Sequence, residues 1–130
     1  MLKTRPLLFL RLFPSGFGMS PITTQVLDTS LGEPAEGVVV TLARLDDADL
    51  ATAVGHGVTD AEGRVTDLLP PNRATPGVYR LTFETTAYFA HSHRESFYPR
   101  IEITFHVTEA SEPHHVPLLL SPYGYSTHRG

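Results

Sequence analysis

The stretch Gly77-Val-Tyr-Arg-Leu-Thr-Phe-Glu84 carries the clearest structural pattern in this chain. Its large apolar residues, Tyr79, Leu81 and Phe83, occupy every second position. Successive side chains of a β-strand point to opposite faces of the sheet, so this spacing predicts a strand with one face on a core. The chain is therefore expected to build its core from β-sheets.

Similar strand-like segments lie on both sides of this stretch, separated by turns rich in Gly, Pro and Asp. The expected strands cover residues 22–28, 37–45, 53–59, 77–84, 102–107 and 114–120, with 123–129 as a candidate for the last one. Residues 86–91 form the only plausible helix. We predict an all-β fold, a β-sandwich of seven to eight short strands with one short helix near residues 86–91.

Composition and charge exclude several classes of function. Residues 19–130 carry 7 basic and 14 acidic side chains, a balance of −7, which argues against nucleic-acid binding because that needs a basic surface. No apolar run has the roughly 20 residues needed to cross a membrane, so neither nucleic acid nor membrane is an expected partner. Without cysteine the chain has no disulfide, thiolate nucleophile or Cys-based zinc site.

Residues 1–18 differ from the rest because they are basic and contain no acid. One interpretation is a targeting leader, and the other is a disordered extension before a single domain at residues 19–130. Cytoplasm is the default location, and periplasm is the expectation if residues 1–18 act as a leader. The chain ends His-Arg-Gly and so lacks a Ser-Lys-Leu peroxisomal signal.

Seven histidines make imidazole chemistry the first possibility to consider. His91 and His93 have the spacing of metal ligands, but nothing else in the sequence converges on them, and a solvated loop is the favoured interpretation. In His114-His115 only one ring can face a given surface of a strand. Pro117 cannot donate to a ladder, which predicts a sheet edge, a strand start or a bulge.

Two further features have both an ordinary and a functional interpretation. Arg64 follows Gly63 in a tight turn, where a solvated side chain is the ordinary interpretation. Residues 123–130 are rich in aromatic, hydroxyl and basic side chains. That composition suits packing against a partner surface or a ligand.

Four segments, in order, are similar to one known family. They are Ile22-Thr-Thr-Gln-Val-Leu-Asp-Thr-Ser-Leu-Gly32-Glu-Pro-Ala35, Thr59-Asp-Ala-Glu-Gly-Arg64, Ser96-Phe-Tyr-Pro99, and His115 to Gly130 with its run Pro-Leu-Leu-Leu-Ser-Pro-Tyr-Gly-Tyr-Ser-Thr. Together they resemble the transthyretin-like family, and specifically its 5-hydroxyisourate hydrolase branch. The resemblance covers about residues 21–130.

This resemblance implies a transthyretin-like β-sandwich that assembles as a homotetramer, a dimer of dimers with active sites where the dimers meet. The implied substrate is a small molecule, 5-hydroxyisourate. Its six-membered ring is opened by water to 2-oxo-4-hydroxy-4-carboxy-5-ureidoimidazoline, the step after urate oxidation in purine degradation. The reaction uses neither a metal nor an organic cofactor.

The resemblance also implies site residues. The family uses a His in the first strand, an Arg after the Gly turn, a His before Val-Pro, and a C-terminal Tyr-Arg-Gly-Ser. Arg64 and His115 match the second and third of these and are the implied catalytic pair, with Arg64 also binding substrate. Arg129 matches the terminal motif and Thr127 lies just before it, so both are expected to bind substrate.

Two positions differ from the family pattern, and the family's final Ser has no counterpart. Gln25 stands where the first-strand His is expected, and His128 stands in place of the terminal Tyr. Both are expected to orient the substrate by hydrogen bonds. Since transthyretins proper also replace that His, a non-catalytic protein that binds a small ligand stays an alternative, as does a structural or interaction β-sandwich.

The mechanistic hypothesis follows from the implied pair. Neutral His115 activates a water molecule, a role that suits a side chain with an ordinary pKa near 6.5. Arg64 holds the urate-like oxygens and stabilises the negative charge that develops.

Overall fold

The computed structural model describes residues 20–130. The elements are β1 (Ile22–Asp28), β2 (Glu33–Pro34), β3 (Val39–Leu45), β4 (Ala51–Val58), β5 (Arg64–Val65), β6 (Gly77–Phe83), α1 (Thr85–His91), β7 (Ile101–Val107), β8 (His114–Ser121) and β9 (Gly124–Thr127). The prediction of an all-β sandwich with one short helix is confirmed for these residues. The extension expected at residues 1–18 lies outside them.

Two sheets form the sandwich. The first sheet has the order β2-β1-β8-β9, with β5 also paired to β1, and the second has the order β4-β3-β6-β7. β1 and β8 run parallel through seven paired residues, from Ile22↔His114 to Asp28↔Leu120. The other ladders are antiparallel. The first sheet therefore joins an early and a late segment of the chain side by side.

The core lies between the two sheets and follows the period-two pattern of the sequence. Tyr79, Leu81 and Phe83 of β6 are buried, as the alternation predicts. The first sheet contributes Val26 and Leu118, both with no exposed surface. Truncating a buried aromatic side chain to alanine removes its apolar contacts and leaves a cavity, at a cost of about 3–5 kcal/mol.

Strand ends differ from the predicted ones where a local turn intervenes. β3 begins at Val39 and not at residue 37, because Gly37 has φ +88° and lies outside the ladder. β4 begins at Ala51, two residues before the predicted start. There the Asp46 side chain accepts hydrogen bonds from the backbone N–H groups of Ala48 and Leu50 and closes the preceding turn.

Helix α1 is fastened to the end of β1 by a buried carboxylate. Asp28 has no exposed surface, and its Oδ2 accepts hydrogen bonds of 2.8 Å from Tyr88 Oη and from Arg94 Nη2. Burial alone would raise the pKa of Asp28, but the hydrogen bonds from Arg94, Ser30 and Tyr88 lower it below its ordinary value. The same burial and the neighbouring carboxylate raise the pKa of Tyr88 to about 12. This end of the sandwich is therefore held by an ion pair.

Within residues 20–130 no helix has the length and apolar character needed to span a membrane.

Candidate active site

The outer face of the first sheet brings β1 and β8 side chains together. Along β1 the burial alternates, so Thr23 and Gln25 are half-buried on the face away from the core. β8 is parallel and in register with β1, which pairs Thr23 with His115 and Gln25 with Pro117. Residues paired across a ladder share a face of the sheet. His115 therefore lies beside Thr23 on this outer face.

The turn before β5 places Arg64 on the same face. Gly63 has φ +78°, and a Cβ there would lie 2.3 Å from the carbonyl oxygen of Val26, so only glycine fits without a shift. Asp60 Oδ1 accepts a 2.9 Å hydrogen bond from the Arg64 backbone N–H and closes the turn. Arg64 is then the antiparallel partner of Gln25. The predicted tight turn is present, but Arg64 belongs to a sheet and is not a solvated loop residue.

The Arg64 side chain is 24% exposed, and its Nη1 lies 3.3 Å from Glu62 Oε1. Gln25 Nε2 donates a 3.0 Å hydrogen bond to the carbonyl oxygen of Glu62. The amide and the guanidinium are thus both held against the same turn. Gln25 and Arg64 form a row of paired residues across the sheet, together with Pro117. On this face the next row consists of Thr23 and His115.

The His115 imidazole is held and kept neutral by its surroundings. Its Nδ1 shares a 2.8 Å hydrogen bond with Thr23 Oγ1. Burial lowers the pKa of His115, and the positive charges of Arg64 and His128 lower it further. The ring is therefore neutral at pH 7 and has a lone pair available for a proton. Arg64 and His128 are therefore within electrostatic range of the imidazole.

The C-terminal segment, residues 127–130, runs along the edge of β8. Thr127 Oγ1 donates a 2.7 Å hydrogen bond to the carbonyl oxygen of Pro117, and the Gly130 N–H donates one of 2.9 Å to that of His115. Pro117 has no backbone N–H to donate. The ladder between β8 and β9 begins at the next residue, with Leu118↔Thr127, so this ladder loses no hydrogen bond to the proline. The predicted edge, strand start or bulge is wrong, because β8 lies between β1 and β9 and Pro117 is its fourth residue, paired in register with Gln25. His128 is held between the two anchored residues.

Arg129 does not join this group within the chain. Its Nη2 lies 3.1 Å from Glu112 Oε1, and both side chains are more than half exposed, at 63% and 57%. His114 is buried and its Nδ1 is 2.9 Å from the carbonyl oxygen of Glu112. Only His115 of the two neighbouring histidines faces the outer surface, as strand alternation predicts.

The histidines considered as metal ligands do not form a site. His91 ends helix α1, and His93 follows in the turn with φ +58°. Across residues 20–130 no three His, Asp or Glu side chains are grouped so as to hold a metal ion.

The arrangement offers a neutral imidazole, a permanent positive charge and an amide on one half-buried face. Because Thr23 Oγ1 engages Nδ1, Nε2 is the nitrogen of the His115 ring that is left to meet a water molecule or a substrate. Sequence reasoning missed Thr23 as a partner of His115. The signal that could have found it is its position two residues before Gln25 in a strand, since i and i+2 share a face.

Comparison with known proteins gives one consistent result. Residues 22–130 match the model of the HIUase/Transthyretin family. The chain is 43% identical over 112 residues to a 5-hydroxyisourate hydrolase of Mus musculus, covering 85% of this chain and 95% of the relative. It is 42% identical over 113 residues to that of Salmonella typhi, covering 87% and 82%.

Solved structures agree. The 5-hydroxyisourate hydrolase of Klebsiella pneumoniae superposes with a TM-score of 0.73 at 39% identity, covering 84% of this chain and 96% of that one. Sea bream transthyretin in complex with thyroxine superposes with a TM-score of 0.80 at 30% identity, covering 85% and 95%. Backbone similarity is thus shared between a hydrolase and a transthyretin solved in complex with thyroxine, whereas sequence identity is higher to the hydrolases.

Proposed function

This chain belongs to the HIUase/Transthyretin family, and from that membership we propose that it hydrolyses 5-hydroxyisourate in urate degradation. The hydrolases of Mus musculus and Salmonella typhi are 43% and 42% identical over most of the chain, against 30% for the sea bream transthyretin. The observation that carries the proposal is the register of β1, β5 and β8, which places His115, Arg64 and Gln25 on one outer face of the first sheet. Burial there lowers the pKa of His115. The enzyme acts on a small molecule.

The chemistry of the reaction defines what the site must supply. The product contains a carboxylate and a ureido group, so the bond that breaks joins a ring carbonyl carbon to a ring nitrogen. A water oxygen adds to that carbon and loses a proton, the carbonyl oxygen becomes negative, and the departing nitrogen takes up a proton. The site therefore needs a base, a positive charge near the oxygen, and a proton donor.

His115 supplies the base and then the proton. Because its pKa lies below 6.5, the imidazole is neutral at pH 7 and accepts the proton of the attacking water. The imidazolium that forms can return this proton to the departing nitrogen. A positioned base of this kind accelerates a reaction by about 10²–10⁴-fold.

Arg64 supplies the positive charge. A guanidinium remains protonated at every physiological pH and hydrogen-bonds oxygen anions through several N–H groups. The antiparallel pairing of Arg64 with Gln25 fixes this charge on a strand next to the row of His115. Developing charge on the substrate oxygen is thereby stabilised by a group that is already oriented.

The substrate is oriented by the remaining polar side chains. Gln25 presents an amide in the row between Arg64 and Pro117, and His128 lies near His115 on the docked tail. Thr127 and Arg129 complete the binding surface, with Arg129 able to exchange its exposed Glu112 partner for a substrate oxygen. Gln25 takes the place of a family histidine and acts here as a hydrogen-bonding group.

The working form is a homotetramer, a dimer of dimers. Two features support association. Within residues 20–130, β7 and β9 each end a sheet with one unpaired edge. Phe97, Tyr98 and Tyr125 form an aromatic cluster in which Phe97 is 69% exposed. Exposed apolar clusters mark association surfaces. Sedimentation equilibrium tests this assembly, and a monomer at working concentration contradicts it.

The test of the function is the decay of 5-hydroxyisourate freshly generated by oxidising urate. We expect the protein to accelerate ring opening in proportion to its concentration, with saturation at high substrate. A transthyretin-like ligand binder predicts saturable binding without acceleration. A structural β-sandwich predicts neither binding nor acceleration.

A further inference from the structure

We propose that Thr23 is a positioning residue that holds His115 in the one neutral form able to accept a proton from water. The proposal rests on the proposed function. Its observation is the 2.8 Å contact between Thr23 Oγ1 and His115 Nδ1, made by side chains 92 residues apart in the chain.

The contact is fixed by the backbone of both strands. Thr23 and His115 are Cα partners in the parallel ladder of β1 and β8, in the second of its seven paired positions. Thr24 Oγ1 also donates a 2.6 Å hydrogen bond to the carbonyl oxygen of Val116, one position further along. The Thr23 and His115 side chains therefore both project from backbone that lies inside the ladder. Thr23 needs no large movement to keep its contact with the imidazole.

The opposite edge of the ring is also restrained. A Cβ on Gly130 would lie 2.8 Å from His115 Cδ2, so the tail backbone is in close contact with that edge. The hydrogen bond from the Gly130 N–H to the His115 carbonyl oxygen keeps the tail there. Thr23 holds Nδ1, and Gly130 lies against Cδ2. Nε2 is therefore the ring nitrogen that is left to act as the base.

Nδ1 and Nε2 cannot both be unprotonated in a neutral imidazole, since one carries the hydrogen. When Nδ1–H donates to Thr23 Oγ1, the lone pair lies on Nε2 and accepts the proton of the attacking water. When the hydrogen is on Nε2, that nitrogen cannot act as a base. The Nδ1–H bond to Thr23 persists as the ring becomes imidazolium and is unchanged when Nε2–H passes its proton to the departing nitrogen.

The experiment compares Thr23→Val, Thr23→Ser and a matched control, Thr41→Val. Thr41 lies half-buried on β3 of the second sheet, so its variant tests the effect of replacing a strand hydroxyl with a methyl group. We expect Thr23→Val to lower kcat on the order of 10-fold with KM little changed, because one hydrogen bond is lost and the base-competent form is depopulated. Thr23→Ser restores the hydroxyl and should stay within about 2-fold of wild type, as should Thr41→Val.

A second measurement reads the imidazole without catalysis. The ¹⁵N chemical shifts of His115 in the substrate-free protein report which nitrogen carries the hydrogen. We expect Nδ1–H in wild type and Thr23→Ser, and Nε2–H in Thr23→Val. Nδ1–H in wild type with no enzymatic ring opening would sink the proposed function but leave the positioning by Thr23 intact.

Several results would each overturn the positioning role. They are an Nε2–H ring in wild type, the same tautomer in wild type and Thr23→Val, or a Thr23→Ser variant as slow as Thr23→Val. A loss confined to KM would equally overturn it, since that would make Thr23 a binding residue.

Discussion

Gly130 and His115 are joined twice, by a 2.9 Å hydrogen bond from the Gly130 N–H to the His115 carbonyl oxygen and by contact of the glycine with the imidazole edge. A Cβ at residue 130 would lie 2.8 Å from His115 Cδ2 and 3.3 Å from the His115 carbonyl oxygen. The first separation is too short for a carbon atom and the second is tight, so either the ring or the tail has to move. The tail therefore helps to set the position of the imidazole.

The first prediction concerns Gly130→Ala. We expect kcat/KM to fall by roughly 10-fold or more, because small displacements of a reacting group are costly, while the thermal midpoint stays close to that of wild type. Gly124→Ala is the matched control, since its added Cβ would meet only Ser121 Oγ at 3.6 Å. Equal activity of Gly130→Ala and wild type would show that the contact does not position the ring.

The second prediction concerns pH. Burial, Arg64 and His128 lower the pKa of His115, so the acidic limb of the kcat/KM profile should have its midpoint below 6.5. His128→Gln removes one of the electrostatic interactions that lower this pKa and should move the midpoint upward, toward 6.5. A nuclear magnetic resonance titration of His115 checks the same shift independently of activity.

The exposed His56 of the second sheet provides the control, because His56→Gln should leave the midpoint in place. A wild-type midpoint above 6.5, or a downward movement in His128→Gln, would contradict the electrostatic account.

The third prediction concerns stability and the buried Asp28. Asp28→Asn leaves Arg94 beside a neutral amide and should lower the free energy of unfolding by about 2–4 kcal/mol. The pKa of Asp28 is lowered in the folded protein, so its stabilisation is fully present above the ordinary carboxyl pKa of 3.8 and is lost as pH falls through the folded value. Urea unfolding at pH 7 and near pH 3 measures both effects.

Glu84→Gln is the comparison for that experiment, because the Glu84–Arg100 pair is 3.5 Å long and well exposed. Exposed pairs contribute about 0–1 kcal/mol, so this variant should change little. If Asp28→Asn were no more destabilising than Glu84→Gln, the buried ion pair would not be what fastens α1 to β1.

Much of the fold could be predicted because its signals are local. The alternation in β6 and the β-branched run of β1 depend only on neighbouring residues, and the predicted bounds of β1 agree with the structure. The helix was predicted one residue too late, at 86 where α1 begins at Thr85. Asp28 was predicted only as the last residue of the first strand, since its partners Tyr88 and Arg94 lie 60 and 66 residues away.

The sequence predicts which residues are candidates for the site, but it does not predict the register that arranges them. The resemblance selected Arg64 and His115, yet nothing local showed that Gln25 would pair with Arg64 on one side and Pro117 on the other. The Thr23 contact depends on the same long-range register. For Arg129 the sequence predicts substrate binding, and within the chain its partner is Glu112.

The central claim is that His115 is the base that opens 5-hydroxyisourate, and the most direct measurement compares wild type with His115→Ala on freshly generated substrate. His56→Ala serves as a matched histidine variant on the second sheet. The account predicts that His115→Ala loses about 10²–10⁴-fold in the rate of ring opening, while His56→Ala retains wild-type activity. Equal decay with His115→Ala and wild type, both folded, would contradict it.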